Sequence, residues 1–250
     1  MYLPFVNNWA IMPLIGESFM TKEVTKKQTT EVAAYTDADL AAWGEQQIDS
    51  NDIILPRINL AQQMSQSVVD DKAKMGDFVN TSTMTVIGGV DKPVDFIPFM
   101  LEQVWVIQKE VKAGKFEFDS IEVVNAENKD LPWDFVKEGV NYKRVYTRNF
   151  YGLVDGQTLP CVISFQGSSA KAGKQLATLM FAENRLNKLP PSAFHVKIGS
   201  KIEKNDDGTY AVKTIAVGNK STTEEISKTL EWFKTFQKAT PKVQHENGEF

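Results

Sequence analysis

From residue 53 onward, short β-type runs follow one another between turn signals, and only two segments have a helical pattern. One helix is predicted at 168–189, where serines begin it and prolines follow it, and the other at 223–238. The strands do not alternate regularly with helices, which argues against a doubly wound parallel fold. The sequence predicts a mainly β fold with added helices (α+β), built as an antiparallel barrel or sheet. The predicted strands are 53–60, 76–79, 84–87, 94–99, 104–107, 115–118, 142–151, 159–165, 194–202 and 210–217.

Composition divides the chain into three parts. Residues 1–50 are predicted to be a flexible arm, because most of this segment is polar. Its first part, residues 1–19, is apolar, but it contains two prolines and has no basic cluster at its start. It therefore matches neither a signal peptide nor a membrane helix, and we interpret it as a leader or as the result of an upstream start. Residues 51–238 are the predicted folded domain, and residues 239–250 are a predicted flexible acidic tail ending in Phe250.

Charge and cysteine content exclude several classes of function. The chain has 28 Lys and Arg against 32 Asp and Glu, so its formal net charge of −4 excludes a chain that is basic throughout. This balance is compatible with a nucleic-acid binder, because what matters is where the positive charge lies. The single cysteine, Cys161, excludes an intrachain disulfide framework and a zinc site built from several cysteines. With only two histidines, a hydrolase triad is poorly supported, and we expect a protein that is not an enzyme and needs no cofactor.

One stretch has the position of a phosphate-binding loop but not its spacing. Five residues separate Gly167 from Gly173-Lys174 where the motif has four, and Gln175 stands where a Ser or Thr would bind magnesium. Two interpretations stay open. Either a serine-capped helix start carries solvated lysines, or the helix N-terminus and its lysines contact a nucleic-acid phosphate.

A second pattern loosely matches metal-dependent nucleases. Asp95, followed by Glu110-Val111-Lys112, offers two carboxylates for magnesium and a lysine to stabilise charge. The pattern is short and common, and the alternative is two surface charges on separate strands. We favour that alternative and expect no metal site.

The strand predicted over 142–151 is the most informative one. Because side chains on a strand alternate between faces, one face carries Tyr142, Arg144, Tyr146, Arg148 and Phe150. If this face were core, two buried arginines would need ionic partners. If it is exposed, three rings interleaved with two guanidinium groups suit single-stranded nucleic acid, since bases stack on rings and arginines contact phosphates. The alternative is cross-strand aromatic pairing, with the arginines extending to solvent.

Other elements add candidate contacts. In the first strand of the last hairpin, His195, Lys197 and Lys201 share one face, although any exposed strand carries lysines. On the first helix, Lys171 and Lys174 point away from the apolar side, which a solvated face explains equally well. The full set of residues that we expect to contact DNA is Trp105, Tyr142, Lys143, Arg144, Tyr146, Arg148, Phe150, Lys171, Lys174, His195, Lys197 and Lys201.

The acidic tail predicts a second kind of contact. Glu246, Glu249 and the terminal carboxylate surround Phe250. A terminal ring on such a segment can insert into a pocket of a partner protein while the carboxylates contact a basic rim. The alternative is that the tail is only the place where the chain stops.

Several segments together point to a family. Leu55-Pro56-Arg57-Ile58, Lys74-Met75-Gly76-Asp77-Phe78 and Val94-Asp95-Phe96-Ile97-Pro98 resemble segments of single-stranded DNA-binding proteins encoded by bacteriophages. Residues 162–169, the Lys-rich helix with the prolines after it, and the hairpin around Asn205–Gly208 extend the resemblance. It covers roughly residues 53–237.

The resemblance implies an OB-type antiparallel five-stranded barrel with an inserted helix and a C-terminal helix. It also implies non-catalytic coating of single strands during phage replication or recombination, in the cytoplasm of an infected bacterium and away from membranes. Many such proteins end in acidic residues and a phenylalanine that recruit replication or recombination partners, and here Lys242 and His245 weaken that match. Two other functions stay open: a phage structural or assembly protein, and a recombination annealing protein or metal-dependent nuclease.

Overall fold

A computed structural model describes residues 54–206, 208–238 and 242–243. Outside the described residues lie the predicted arm of residues 1–50 and the predicted partner-binding residues Glu246, Glu249 and Phe250. The helices are α1 (Gln66–Val69), α2 (Ala170–Arg185), which a 3-10 turn (Gly167–Ser169) precedes, and α3 (Thr223–Lys238). The strands are β1 (Ile54–Leu55), β2 (Ile58–Leu60), β3 (Phe78–Asn80), β4 (Thr85–Gly88), β5 (Val94–Lys112), β6 (Lys115–Val123), β7 (Asp134–Lys137), β8 (Val140–Val154), β9 (Cys161–Phe165), β10 (Phe194–Asn205), β11 (Gly208–Lys220) and β12 (Lys242–Val243).

The predicted mainly β class with added helices is confirmed, but the closed five-stranded barrel is wrong. The largest sheet has seven strands in the order β11-β10-β5-β8-β7, with β6 paired to β5 and β9 paired to β8. The 19-residue strand β5 pairs antiparallel with β10 near its start and with β6 near its end. The sheet therefore continues outward along β5, and its edge strands do not meet to close a barrel. Strands β2, β3 and β4 form a separate antiparallel sheet.

Two segments differ from their predicted structure for local reasons. Strand β5 joins the predicted strands 94–99 and 104–107 through residues 100–103. It contains Pro98, which is tolerated because the register with β8 shifts just after it. Residues 119–140, where the sequence analysis predicts no strand, contain the end of β6 and all of β7. Strand β7 turns into β8 through Glu138-Gly139, whose φ angles of +52° and +79° form the two-residue turn that favours glycine at its second position.

Two apolar cores lie on opposite faces of β8. Phe150 packs with Phe96, Phe165 and Leu176 of α2. The next residue, Tyr151, packs on the other side with the second core, which consists of Leu55, Phe99, Val162 and Phe236 of α3. The alternation of side chains along a strand produces this division. The sheet is therefore covered on one face by α2 and on the other by α3.

A capping box at the start of α3 and the pairing of β12 with β1 hold the C-terminal part of the described chain in place. The main-chain N–H of Thr222 donates to Glu225 Oε2 at 2.7 Å, and the N–H of Glu225 donates to Thr222 Oγ1 at 3.2 Å, which is a capping box. Beyond α3, Lys242 and Val243 pair in parallel with β1. These two residues lie within residues 239–250, the segment predicted as a flexible tail, and that prediction stays untested for the rest of the segment.

Beyond the two cores, four strands continue as a narrow sheet that we call the outer ladder. It consists of β6, β5 from Val104 onward, β8 up to Arg148, and β7. Its residues are half-buried or exposed over most of its length, except at Val104–Ile107 of β5 and Thr147 of β8. The outer ladder therefore presents side chains on both faces, and it carries the strand that the sequence marked as the candidate DNA contact.

Candidate nucleic-acid interface

Four of the predicted contact residues share one half-buried face of the outer ladder, which we call the ladder face. They are Tyr142, Arg144, Tyr146 and Arg148, all on the same side of β8. The Arg148 guanidinium carbon lies 4.6 Å from the centroid of the Tyr146 ring. Cations and rings are thus layered on this face as the alternation along the strand predicts.

Strand β7 contributes a ring that the sequence analysis missed. Phe135 stacks on Tyr142, with ring centroids 5.1 Å apart and planes inclined by 18°, and the Arg144 guanidinium carbon lies 3.9 Å from the centroid of the Phe135 ring. Tyr142, Phe135 and Arg144 therefore form a continuous stack. The signal that could have predicted this strand is the run Asp134-Phe135-Val136-Lys137 directly before the turn residues Glu138-Gly139.

Arg144 is held in place by the loop before β7. Its Nη1 donates to the carbonyl of Pro132 at 3.0 Å, and its main-chain N–H donates to the carbonyl of Trp133 at 2.6 Å. Trp133 itself is 67% exposed, which makes it a large ring on the surface beside the stack. The loop therefore orients the guanidinium and presents a further aromatic side chain that the sequence analysis did not select.

Two of the predicted contact residues are buried rings, and a third, Lys143, lies on the face of β8 opposite Tyr142 and Arg144. Trp105 is only 3% exposed and lies edge-on to Tyr146, with centroids 5.2 Å apart. Phe150 is fully buried and lies edge-on to Phe165 at 5.4 Å. Neither ring is open to a base, because Trp105 is buried within the outer ladder and Phe150 lies in the core that α2 covers. Lys143 lies on the opposite face of the ladder, with its Nζ 4.2 Å from the centroid of the Phe116 ring.

The predicted basic face of the last hairpin is neutralised by acidic neighbours. His195 Nδ1 lies 2.8 Å from Asp95 Oδ1, and Lys197 Nζ contacts the other oxygen of the same carboxylate. Burial works to raise the pKa of Asp95, but hydrogen bonds from Lys197 and His195 outweigh it and hold that pKa below its ordinary value. Lys201 likewise forms an ion pair with Glu203. These residues form local ion pairs, and their assignment as DNA contacts stays a prediction.

The nuclease pattern does not assemble. Asp95 and Glu110 lie fifteen residues apart on the single strand β5, which corresponds to about 50 Å. Among the described residues, no cluster of three or more His, Cys, Asp or Glu side chains is placed to hold a metal ion. Asp95 instead joins the ion pairs described above, and Glu110 accepts hydrogen bonds from the Gly114 N–H and from Asn141.

The glycine-rich stretch before α2 is a helix start, not a phosphate loop. Gly173 lies inside α2, where an added Cβ would come within 2.5 Å of the Phe165 Cβ, so this glycine lets the helix lie directly on β9. Lys171 and Lys174 are exposed on the same helix. Ser169 Oγ accepts a hydrogen bond from the main-chain N–H of Lys213 at 3.0 Å, which fastens the start of α2 to β11.

A cavity of about 400 Å³ opens beside this helix start. Its wall includes Arg57, which is 9% exposed, and Lys213, and the sequence analysis selected neither as a contact. The backbone of Arg57 is fixed by Thr81, since the Arg57 N–H donates to Thr81 Oγ1 at 3.1 Å and the Thr81 N–H donates to the Arg57 carbonyl at 2.9 Å. The remaining lining residues are Asn59, Leu60, Gln62, Met64, Ser65, Val106, Thr147, Ser164, Gln166, Gly167, Ser168, Ser169, Tyr210 and Ala211.

The wall of this cavity contains no Asp or Glu in the part of the chain that the structure describes. Burial, together with the neighbouring Arg57 charge, lowers the pKa of Lys213 to about 8. The Lys213 Nζ lies 5.9 Å from the centroid of the Phe165 ring and forms no salt bridge with any described residue. Neutral polar groups line the rest of the wall, including Thr147, whose hydroxyl donates to Gln166 Oε1 at 2.8 Å.

Comparison with known proteins identifies the family. No curated protein and no solved structure matches the chain. Within the described residues, no helix has the length and apolar character needed to cross a membrane. A family model described as "Pam3 phage gp34-like protein" matches residues 25–245, which is most of the chain. The chain therefore belongs to the Pam3 phage gp34-like protein family and is a phage protein.

Proposed function

We propose that this phage protein binds single-stranded DNA without sequence preference and coats it during replication or recombination in the cytoplasm of an infected bacterium. The observation that carries the proposal is the stack of Tyr142, Phe135 and Arg144, which continues along β8 to Tyr146 and Arg148. Rings accept bases of any sequence, and stacking one base contributes about 1–3 kcal/mol. The protein supplies a binding surface, and no catalytic step is part of the proposal.

The spacing along β8 favours a single strand over a duplex. Residues on one face of a strand recur about every 6.6 Å, since each residue advances about 3.3 Å. Stacked bases in a duplex follow one another every 3.4 Å per strand. Successive side chains from Tyr142 to Arg148 can therefore meet successive nucleotides only when the bases are unstacked. A single strand reaches that conformation without breaking base pairs.

Charge on the outer ladder is mixed, so stacking contributes more than phosphate attraction in this proposal. Glu122 on β6 is the cross-strand neighbour of Trp105, and Glu117 forms an ion pair with Lys115 at 2.9 Å. The two arginines of the ladder face are the cations that lie on its rings. We therefore expect a moderate dependence of affinity on salt, set mainly by Arg144 and Arg148.

A second candidate function is a contact between protein chains during phage assembly. The observation that favours it is the edge of the ladder at β7, where Trp133 and Val136 are both exposed, at 67% and 66%. An edge strand offers unpaired main-chain groups to another chain. In that case another protein chain would cover this surface, and the concentration of protein, not the presence of DNA, would decide how much of it is covered.

The test is a fluorescence anisotropy titration with a labelled oligothymidylate and with a duplex of the same length. Tyr142→Ala should weaken single-strand binding by about 5- to 150-fold, the equivalent of 1–3 kcal/mol. The matched control is Phe116→Ala, because Phe116 is also a half-buried ring of the ladder but lies under Lys143 on the opposite face.

Equal affinity for the duplex, or equal losses in the two variants, would contradict the proposal. Sedimentation of the free protein over a range of concentrations tests the second candidate. Association that Trp133→Ala abolishes, together with undetectable DNA binding, would favour a protein contact at this edge.

A further inference from the structure

We propose that residues 124–133 form a strap across the ladder face, and that this strap moves aside when single-stranded DNA binds, so that a base stacks on Trp105. The inference rests on the proposed function, because it adds a base-binding residue and a cover to the same face. It is carried by the path of the strap, by the buried side chains of β5 at its level, and by two hydrogen-bond donors there that lack an acceptor.

The strap connects opposite edges of the outer ladder. It begins after Val123 on β6, where the Val124 N–H donates to the carbonyl of Gln103 on β5 at 2.9 Å. It ends at β7, which pairs with β8. Strands β5 and β8 lie between these two edges, so the strap crosses them on one side of the sheet. Because Arg144 points to the ladder face and its Nη1 donates to the Pro132 carbonyl at 3.0 Å, the strap crosses that face.

Two large side chains of β5 are nearly buried where the strap crosses. Trp105 and Ile107 are each 3% exposed. Their cross-strand neighbours on β8 are Tyr146 and Arg144, so both side chains point to the ladder face. Neither belongs to the two apolar cores that α2 and α3 cover. The strap, together with the neighbouring side chains, therefore shields Trp105 from solvent.

Two hydrogen-bond donors at this level have no acceptor. The indole Nε1 of Trp105 and the Nε of Arg144 are shielded from solvent, and neither has a hydrogen-bond partner among the described residues. A buried donor without an acceptor is unfavourable and rare in folded proteins. The base carbonyls and phosphates of a DNA strand carry acceptor oxygens. The closed strap therefore leaves unsatisfied groups that a bound strand can satisfy.

The strap is held mainly by its own turns, so little contact is lost when it opens. Two of its residues are half-buried and the other eight are exposed. Asn125 Oδ1 accepts from the N–H groups of Glu127 and Asn128 at 2.8 and 3.0 Å, and Asn128 Nδ2 donates to the Val123 carbonyl at 2.9 Å. Segments that bury few side chains open at a low free energy.

A strand that follows β8 requires the strap to move. The contact between Arg144 and the Pro132 carbonyl lies between Tyr142 and Tyr146, the two rings that the strand is proposed to meet. A strand that continues from Tyr142 past Tyr146 therefore meets the strap. Because only the open form offers the whole face, strand binding shifts the chain toward that form. In the open form Trp105 adds a ring on β5 beside Tyr146.

The first measurement is hydrogen–deuterium exchange of the full chain with and without an oligothymidylate. We expect exchange at the hydrogen-bonded amides of the strap, such as Val124 and Asn128, to become faster on binding, because the strap opens. The loop of residues 70–74 lies outside the ladder and is the internal control, which should not change. Unchanged or slower exchange of the strap in a chain that binds the strand would overturn the proposal.

The second measurement is the affinity of variants for the oligothymidylate by fluorescence anisotropy. Trp105→Phe keeps a ring but removes the indole N–H, and it should weaken binding about 3- to 10-fold, as expected for one lost hydrogen bond. Asn128→Ala loosens the strap and should tighten binding about threefold. That gain should be smaller when Trp105→Phe is also present. The matched control Trp232→Phe makes the same substitution in the second core and should leave the affinity unchanged.

The outcomes separate this inference from the proposed function. If Tyr142→Ala weakens binding while Trp105→Phe and Asn128→Ala change nothing, the strand binds with the strap closed, and this proposal is wrong while the proposed function holds. If the unaltered chain does not bind the oligothymidylate, both are wrong. Because exchange is measured on the unaltered chain, the test stays decisive even if Trp105→Phe disturbs folding.

Discussion

The ladder face and the cavity hold the same kinds of side chain in opposite environments. On the ladder face, Arg148 lies over the half-exposed ring of Tyr146 at 4.6 Å. In the cavity, Lys213 lies 5.9 Å from the centroid of Phe165, a ring that is fully buried. On the ladder face, water reaches both groups and screens the charge, so a ligand would gain mainly from stacking on the ring. In the cavity, burial lowers the pKa of Lys213 to about 8, so its charge is less well solvated there.

This difference is the reason why an extended polymer is proposed for the ladder face alone. A row of solvated rings and cations can follow an extended polymer, because each unit contributes a small and similar amount. The cavity is an open pocket in which Lys213 is half-buried and Arg57 is 9% exposed. Asp95 of β5, paired with His195 and Lys197 of β10, shows a third outcome, in which a carboxylate of the chain already pairs with the basic groups.

The largest expected effect marks where the ladder face ends. Phe150 and Tyr146 lie on the same side of β8, but only Phe150 is within the core under α2. Phe150→Ala should lower the free energy of unfolding by about 3–5 kcal/mol, since it leaves a cavity among packed rings. Tyr146→Ala should cost about 1 kcal/mol. Urea unfolding of both variants measures this, and losses of equal size would show that the ladder and the core are one environment.

The next effect concerns the cost of charge in the cavity. The pKa of Lys213 is lowered from 10.5 to about 8, and the groups lining the cavity with it that carry charge or titrate are Arg57 and Tyr210. Below pH 8 the ammonium is charged in both states, and its burial is unfavourable. Between about pH 8 and 10.5 the unfolded chain binds more protons, so stability rises with pH. Lys213→Met should therefore raise the free energy of unfolding at pH 7 by about 1–3 kcal/mol.

Urea unfolding at pH 7, 9 and 10.5, in buffers without phosphate, checks the direction of this effect. The advantage of Lys213→Met over the wild type should shrink steadily above pH 8 and should be absent for the exposed Lys220→Met. A variant that is less stable than the wild type at pH 7 would mean that the Lys213 charge is already compensated in the folded protein.

A smaller effect separates screened from buried charge. With two arginines contacting phosphates, the logarithm of the single-strand affinity should fall with the logarithm of salt with a slope of about −1.4. Arg148→Gln should reduce that slope by about 0.7, because it removes one phosphate contact. Lys129→Gln, in the exposed loop before β7, is the control that should leave the slope unchanged. A slope near zero in the wild type would contradict phosphate contacts on the ladder face.

The local sequence pattern was sufficient to predict the elements whose structure depends mainly on neighbouring residues. Turn residues at Asn205–Gly208 predict the last hairpin, and the structure confirms it as β10 and β11. The helix at 223–238 is predicted at its observed bounds, because an apolar stripe and polar flanks define it. The cations and rings of β8 were found for the same reason, since alternation along a strand follows from its geometry alone.

The features that the sequence did not predict depend on contacts between distant parts of the chain. Phe150 continues the pattern of Tyr146, and only the placement of α2 shows that the covering of the face changes between them. Barrel closure depends on pairing between edge strands, which no local run encodes. Arg57 and Lys213 are each a single cation in an apolar run, far apart in sequence, and they meet only because β2 and β11 both line the cavity. Likewise, the ion partners of His195 and Lys197 come from β5 and α3.

The smallest expected effect comes from the acidic tail. Deleting residues 244–250 removes Glu246, Glu249 and Phe250 with the terminal carboxylate, about three negative charges, but keeps β12 paired with β1. The melting temperature should stay nearly unchanged, because the deletion leaves the described strands intact. Single-strand binding at low salt should become at most about twofold tighter, since screened charges compete weakly with phosphates.

The same truncation shows which of the two cationic places the tail charges reach. If they compete at the solvated ladder face, tighter oligothymidylate binding should appear at low salt and vanish at 0.3 M salt, where the screening length falls well below 10 Å. If they compete in the cavity, the effect should depend less on salt, because buried charges are poorly screened. We expect the first result, since the ladder face is the more solvated of the two places. A replication protein that co-purifies with the full chain should be lost with Phe250, and its unchanged retention would contradict partner recruitment by the tail.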